Sequence, residues 1–317
     1  MIYPKFLKNN SKIIVTAPSS GVGDKIEDYE KSINRLESVG YIVEETKSVR
    51  NTGVVSNTDI IRSEEFNDAL MSDSDLILIA RGGEFLMEIH PYLELDRILK
   101  SPKWVMGYSD PTSIMFSITT KYDVATLYGY NAGSYDCDHL CIRDNLNILK
   151  GNLVKQNSYD RIINYDNTLG NLVKWKSNKD EFTVSGRIIG GCIEVLNDLT
   201  GTNIHDINGF NEKYKSDGII WYFDIYEMNS SDFYRTLLHF KYLDWFKNVK
   251  CILLSRINNK CEEYYTYEEV LMKVFPDIPY ISDMCLGHTF PRMTIINGSI
   301  ATITYKDNSG SIEFSLE

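Results

Sequence analysis

The first half of the chain alternates short apolar runs with segments whose apolar residues recur at helical spacing. Residues 12–17 and 76–80 are apolar runs that end at glycine-containing turns, and residues 104–106 form a third run. Residues 26–36 place Ile, Tyr and Leu side chains on one face of a helix. This alternation predicts an α/β fold with an open, mostly parallel sheet flanked by helices. Such sheets bind ligands beyond the carboxyl ends of their strands.

The pattern changes after about residue 150, which predicts more than one domain. Residues 151–184 are rich in Asn, Lys, Asp and Ser, as expected for a linker or an excursion between domains. From 185 to 317 strand and helix patterns are mixed, and the end of the chain alternates short strands with Asn-Gly and Asn-Ser-Gly turns. We therefore expect an α/β domain at 1–150 and a smaller α+β or barrel-like domain at 185–317.

Composition argues against several classes of partner. The 317 residues are 43% hydrophobic, which is enough for a large core. The net charge is −11 and there is no basic block, so we expect neither a nucleic acid polymer nor a membrane surface as a partner. The N-terminus resembles no signal peptide, no long apolar run is present, and the six cysteines form no CxxC pair. These features predict a cytoplasmic protein.

Residues 104–113 place a serine at a strand-to-helix turn. The apolar run 104–106 precedes Gly107, and Pro111 suits the first turn of a helix. Ser109 would then be exposed at the turn with a helix N-terminus behind it. Hydrolases present a nucleophile in this way, and the helix end favours developing negative charge. An ordinary N-cap serine is the alternative interpretation.

A serine nucleophile needs a base and a carboxylate that orients it. Among the five histidines, His288 follows a glycine at the end of an apolar strand, where it is well placed for catalysis. Asp224 lies within the apolar run 219–226, and a buried charge there needs a partner such as His288. Glu227 is the competing carboxylate. The order Ser, Asp, His matches elbow-type hydrolases, although Pro111 replaces the second Gly of their GxSxG motif.

Four motifs in this order resemble the LD-carboxypeptidase (murein tetrapeptide carboxypeptidase) family of serine peptidases, which includes the microcin C self-immunity peptidases. The similarity extends over almost the whole chain. The motifs are Arg-Gly-Gly at 81–83, Gly-Tyr-Ser-Asp-Pro-Thr at 107–112, Gly-Arg-Ile-Ile-Gly-Gly at 186–191 and Gly-His-Thr-Phe-Pro at 287–291.

The resemblance implies a role for particular residues and domains. These roles are the nucleophile Ser109, the base His288, and the oxyanion-hole N–H groups of Gly83 and Asp110. Beside this hole we expect Arg81 and Gly82 to bind substrate, with Arg81 pairing with a substrate carboxylate. A surface or structural ion pair is the alternative interpretation of Arg81. Domain 1–150 would carry the nucleophile, and domain 185–317 would carry the histidine and the carboxylate. The mechanism needs no metal and no other cofactor, and homodimers are common in the family.

The expected function is that of a serine carboxypeptidase acting on small peptides, in particular L,D-linked cell-wall tetrapeptides in peptidoglycan recycling. The alternative is a resistance hydrolase that cleaves microcin C-like peptide nucleotides. One difference from the family pattern affects both expected functions. The family residue that orients the histidine is usually Glu, whereas this chain has Asp224. Three outcomes follow: a backbone shift that lets Asp224 serve, replacement by Glu227, or a weakened or non-catalytic relative.

Overall fold

The computed structural model describes residues 1–164 and 168–317, which divide into two compact units. The N-terminal unit comprises Met1–Asn152 and Thr294–Asn297, and the C-terminal unit comprises Leu153–Met293 and Gly298–Glu317. The chain therefore leaves the C-terminal unit once, adds a short segment to the N-terminal unit, and returns. Within the described ranges, no helix combines the length and the apolar character needed to cross a membrane.

Strands and helices alternate through most of the chain. The strands are β1 (Lys12–Thr16), β2 (Ile42–Glu45), β3 (Leu76–Ile79), β4 (Trp104–Gly107), β5 (Thr126–Tyr128), β6 (Gln156–Asn157), β7 (Arg161–Ile163), β8 (Leu169–Leu172), β9 (Lys176–Ser177), β10 (Glu181–Cys192), β11 (Ile219–Asp224), β12 (Val249–Ser255), β13 (Tyr280–Met284), β14 (Ile295–Asn297), β15 (Ile300–Lys306) and β16 (Ser309–Ser315). The helices are α1 (Ile26–Ser38), α2 (Asp59–Met71), α3 (Thr112–Tyr122), α4 (Leu140–Leu149), α5 (Ile193–Asp198), α6 (Ile207–Lys213), α7 (Ser230–Tyr242) and α8 (Tyr267–Val274). Short 3₁₀ helices lie at Gly23–Lys25, Leu86–Tyr92, Leu95–Leu99 and Ala132–Ser134.

The N-terminal sheet has the strand order β14-β5-β4-β3-β1-β2. Its strands β1 to β5 pair in parallel, and only the edge strand β14 is antiparallel. Strands β3, β4 and β5 are buried along their whole length, as apolar strands covered on both faces must be. The predicted open, mostly parallel sheet with flanking helices is confirmed.

The C-terminal unit contains a separate mixed sheet, with the order β6-β16-β15-β10-β11-β12-β13-β9. Strands β10 to β13 are parallel, and the strands on either side of them are antiparallel. Because β6 and β9 are its edges among the described residues, this sheet is open rather than closed into a barrel. Strands β7 and β8 form a separate two-stranded sheet.

The segment 151–184 contributes four of these short strands. Strand β6 adds to one edge of the C-terminal sheet and β9 to the other, while β7 pairs with β8. Residues 165–167 of this segment lie outside the described residues. Its predicted role as a linker between domains stays a prediction.

A cluster of stacked aromatic rings anchors β11 in the C-terminal unit. Trp221 stacks on Phe223 and on Trp245, with ring centroids 5.6 and 6.1 Å apart. Phe240 of α7 stacks on Trp245 at 4.4 Å. Buried aromatic pairs contribute about 0.5–1.5 kcal/mol each beyond the burial of their area. The cluster therefore holds rigidly the strand that ends at Asp224.

A histidine in the N-terminal unit makes stability dependent on pH. His90 lies in the 3₁₀ helix Leu86–Tyr92, and its Nε2 atom is buried without a hydrogen-bond partner in the described part of the chain. Burial disfavours the charged imidazolium and lowers the pKa of His90 to about 4. The unfolded chain has an ordinary histidine pKa of about 6.5. Protonation below that pH therefore favours unfolding.

We predict that replacing His90 makes the free energy of unfolding decrease less as the pH is lowered from 7 to 4. Between pH 7 and pH 4 the wild type loses about 3 kcal/mol of unfolding free energy to this group, because the unfolded chain binds the proton first. His90→Gln removes this loss. Urea midpoints at pH 7, 5.5 and 4.5 measure it, with the exposed His239→Gln as the control. Identical pH slopes for wild type and His90→Gln would contradict the prediction.

Candidate active site

Ser109 occupies the turn between β4 and α3, at the carboxyl edge of the N-terminal sheet. Its φ angle is 72°, a left-handed conformation that strains a residue with a Cβ atom by roughly 1–3 kcal/mol. The Ser109 N–H donates to the hydroxyl of Tyr128 at 3.2 Å. Its carbonyl accepts the N–H of Thr112, at 2.9 Å, in the first turn of α3. A strained serine ahead of a helix N-terminus is typical of hydrolase nucleophiles.

The glycine turn after β3 packs directly against this serine. A Cβ atom placed on Gly82 would lie 3.0 Å from the Cβ of Ser109, and one placed on Gly83 would lie 2.4 Å from the Oγ of Ser19. Glycine at 82 therefore lets the backbone approach Ser109 closely, and glycine at 83 lets it approach Ser19. Arg81, which precedes the turn, is exposed.

The side chain of Asp110 joins three loops at this edge of the sheet. Its buried carboxylate accepts a hydrogen bond from the hydroxyl of Ser19, in the loop after β1, and one from the N–H of Leu86 at 3.1 Å. These bonds hold the loops after β1 and β3 against the turn after β4. The sequence predicted a role only for the Asp110 backbone. The Pro-Ser-Ser turn at 18–20 was the available signal for its side-chain partner.

The C-terminal unit holds the second group of candidate site residues, Asp224 and His288. Asp224 is the last residue of β11 and is fully buried, while the His288 side chain is 16% exposed. The Nδ1 atom of His288 lies 2.8 Å from Oδ2 of Asp224. The backbone N–H of His288 donates to Oδ1 at 3.1 Å. Both carboxylate oxygens therefore bind the same residue, which offsets the cost of burying the charge.

Gly287 makes this contact possible. Its φ angle is +60°, and a Cβ atom on it would lie 1.8 Å from the carboxyl carbon of Asp224. A side chain at 287 would thus overlap the carboxylate. Glycine lets the loop after β13 close onto an aspartate, and His288 reaches the acid with both its ring and its backbone.

Glu227, the competing carboxylate, lies in a different environment. It is exposed and lines an open cavity of about 610 Å³ together with Asn229, Asp232 and His239. The residue that contacts His288 is Asp224, three positions earlier at the end of the strand.

Cys192 is a neighbour of this pair that the sequence did not suggest. It pairs with Asp224 across β10 and β11, and its Sγ atom lies within 4.8 Å of the ligand atoms of Asp224 and His288. Such a set could in principle hold a metal ion. However, the carboxylate already binds the imidazole, and burial raises the pKa of the Cys192 thiol well above its usual range. The Cys192 thiol also donates a hydrogen bond to the carboxylate of Glu194 at 3.1 Å, so it carries its proton and is a poor metal ligand here.

These features define a class. An α/β unit with a strained serine at the end of a parallel strand, and a second unit with a buried Asp–His pair, are typical of serine hydrolases. Residues 13–129 match the LD-carboxypeptidase N-terminal domain, and residues 185–303 match the LD-carboxypeptidase C-terminal domain. The chain belongs to the LD-carboxypeptidase family, as the four motifs predicted.

Two curated relatives illustrate the range of the family. The microcin C7 self-immunity protein MccF of Escherichia coli is 35% identical over 69 residues, which are 22% of this chain and only 20% of MccF. The presumed carboxypeptidase RC0549 of Rickettsia conorii is 27% identical over 254 residues, which cover 78% of this chain and 74% of that protein.

Solved structures show the same fold. MccF in complex with aspartyl sulfamoyl adenosine has a TM-score of 0.82 at 21% identity, and the alignment covers all of both chains. The muramoyltetrapeptide carboxypeptidase of Oxalobacter formigenes has a TM-score of 0.76 at 18% identity, with 96% of this chain and 99% of that chain covered. The predicted fold class is therefore confirmed over the whole chain.

We predict that Gly287→Ala destabilises the protein far more than backbone strain alone explains. Gly201 has a similar φ of +73°, but a Cβ atom there would meet nothing within 4 Å. Gly201→Ala should therefore lower the free energy of unfolding by about 1 kcal/mol. Gly287→Ala should lower it by about 3 kcal/mol or more, because overlap with Asp224 adds to the strain. Urea denaturation of both variants tests this, and equal losses would contradict it.

Proposed function

We propose that this chain is a serine carboxypeptidase that hydrolyses the amide at the C-terminal end of small peptides, with L,D-linked cell-wall tetrapeptides as its main substrates. The observation that carries the proposal is the contact between the buried Asp224 carboxylate and the His288 imidazole in a member of the LD-carboxypeptidase family. A histidine held through Nδ1 has its Nε2 atom available as a general base.

The proposed mechanism begins with proton transfer from Ser109. The Nε2 atom of His288 takes the proton from the hydroxyl of Ser109 as Oγ bonds to the scissile carbonyl carbon. The resulting oxyanion is bound by the backbone N–H groups of Gly83 and Asp110, each contributing about 2.7–4 kcal/mol. The C–N bond then breaks, and the imidazolium gives its proton to the leaving amine. Water hydrolyses the acyl-serine by the same proton transfers and restores Ser109.

Substrate recognition is proposed to use the Arg-Gly-Gly turn. Arg81 is an exposed guanidinium next to the proposed oxyanion hole. A carboxypeptidase must recognise the free carboxylate at the end of its substrate, and arginine binds carboxylates through two parallel hydrogen bonds. Gly82 packs against Ser109 and leaves room for a substrate beside the nucleophile.

A second substrate class is favoured by the similarity to MccF. MccF is a microcin C7 self-immunity protein, and its structure has been solved in complex with aspartyl sulfamoyl adenosine. The same chemistry in this chain would then cleave an amide between a peptidyl aspartate and a nucleotide. In that case the protein is a resistance hydrolase rather than an enzyme of peptidoglycan recycling.

Three further properties belong to this proposal as predictions. The first is a division of labour in which domain 1–150 carries the nucleophile, domain 185–317 carries the base and the carboxylate, and 151–184 connects them. The second is a cytoplasmic location, where cell-wall peptides and peptide nucleotides would be met. The third is a homodimer, which sedimentation of the purified protein would reveal.

We predict that Ser109→Ala lowers kcat by a factor on the order of 10⁴–10⁶, because no other group can form the acyl intermediate. The substrates are a cell-wall tetrapeptide with a C-terminal D-residue, its all-L counterpart, and a peptidyl-aspartyl nucleotide. Ser117→Ala, which changes a buried serine of the following helix α3, is the control. Turnover of the D-terminal tetrapeptide alone supports the carboxypeptidase, and turnover of the nucleotide alone supports the resistance hydrolase. Wild-type protein that cleaves none of them would identify a non-catalytic relative.

We also predict that Asp224→Glu impairs activity, although Glu is usual in the family. The extra methylene would push the carboxylate into the space closed by Gly287, and a misplacement of about 1 Å lowers rates on the order of 100-fold. Asp224→Asn should lower kcat by a factor on the order of 10⁴ because it disturbs the histidine tautomer. The exposed Asp277→Glu is the control. An Asp224→Glu enzyme as active as the wild type would refute the proposed fit to the shorter acid.

A further inference from the structure

The carboxylate of Glu194 accepts hydrogen bonds from successive backbone N–H groups of the loop that follows β11. Its Oε1 atom accepts the N–H groups of Tyr226, Glu227 and Met228 at 2.9, 3.0 and 2.9 Å. Its Oε2 atom accepts the thiol of Cys192 at 3.1 Å. Successive N–H groups that converge in this way form an anion-binding nest. Here the anion that fills the nest is a side chain of the protein itself.

This loop begins immediately after Asp224. The N–H of Ile225 donates to the Oγ atom of Ser255 at 3.0 Å, and Glu194 binds the next three N–H groups. Every backbone N–H from Ile225 to Met228 is therefore held by a side chain. These four bonds fix the direction in which the chain leaves β11, and Glu194 accepts three of them.

The first residue that Glu194 binds is in contact with the imidazole. The rings of Tyr226 and His288 have centroids 4.7 Å apart and an interplanar angle of 38°. Tyr226 is 50% exposed, so packing covers only part of its surface. The loop that carries this ring to the imidazole is held by Glu194.

We propose that Glu194 is a positioning residue for His288. Its carboxylate fixes residues 226–228 and thereby keeps the ring of Tyr226 against the imidazole. Asp224 orients the ring through Nδ1, and Tyr226 limits its tilt. The catalytic part of this inference rests on the proposed function, because it requires His288 to be the base.

A simpler role for Glu194 makes a different prediction. An acidic residue in the first turn of α5 favours the helix through its dipole, by about 0.3–1 kcal/mol, without any effect on His288. Asp198 is the acidic residue at the other end of the same helix, and among the described residues no hydrogen bond to its carboxylate is present. Asp198→Asn is therefore the matched control for the loss of a carboxylate from α5.

The kinetic test is a double-mutant cycle between Glu194 and Tyr226, measured on whichever substrate the wild type hydrolyses. Glu194→Ala and Tyr226→Ala should each lower kcat about 10-fold with KM nearly unchanged. The double variant should be no slower than either single variant, because both lose the same contact. Tyr226→Phe keeps the ring and should retain activity, as should Asp198→Asn. A double variant about 100-fold slower, which means additive effects, would overturn the proposal.

A second readout does not require activity. In protein labelled with ¹³C-histidine, the ring of Tyr226 shifts the His288 imidazole resonance, which is assigned by its disappearance in His288→Gln. This shift should be lost in Tyr226→Ala and in Glu194→Ala, weakened less in Glu194→Gln, and kept in Tyr226→Phe. A Glu194→Ala spectrum with an unmoved His288 resonance would refute the positioning role. If wild-type protein hydrolyses nothing, the proposed function fails, and this spectrum still decides whether Glu194 holds Tyr226 in place.

Discussion

The contact of the buried Asp224 carboxylate with His288 is the interaction on which the candidate site of the C-terminal unit depends. An unpaired charge at the end of an apolar strand would cost several kcal/mol. Both oxygens therefore need partners: the backbone N–H of His288 donates to one, and the ring Nδ1 atom of His288 lies 2.8 Å from the other. Two features favour this contact. The aromatic cluster holds β11, and with it Asp224, in place. Gly287 lets the loop that carries His288 reach the carboxylate.

At Asp224, where the family usually has Glu, a buried carboxylate still contacts His288. Aspartate is one methylene shorter than the usual glutamate, so its partner has to come closer. The lack of a Cβ atom at Gly287 and the direct N–H bond from His288 achieve this approach. Of the two carboxylates considered from the sequence, Asp224 and not Glu227 contacts His288. Activity measurements will decide whether the shorter acid also sustains catalysis.

Much of this arrangement was predictable from local patterns. The apolar runs of the first half predicted the parallel sheet, and Ser109 stood out because strand, glycine and proline surround it. Asp224 stood out because a charge in an apolar strand needs a donor. Glu227 remained an alternative because the sequence does not show where the strand ends. Cys192, Glu194 and the Tyr226 contact were missed for a different reason. The register of β10 against β11 places Cys192 beside Asp224. The closure of the loop after β11 brings Glu194 to its backbone and Tyr226 to His288. Neither feature leaves a local signal in the sequence.

The return of the chain through β14 has a consequence for how this protein can be divided. Residues 294–297 follow the histidine loop in sequence, yet β14 completes the edge of the sheet formed by the first half. Thr294 accepts a hydrogen bond from the buried Asn145 at 2.9 Å, and Asn297 donates one to Thr126 at 3.2 Å. A cut at a single point would leave the N-terminal sheet with a bare β5 edge, and open edges promote aggregation. The N-terminal unit therefore owes part of its stability to a segment that follows most of the C-terminal unit in sequence, so no single cut of the chain yields both units complete.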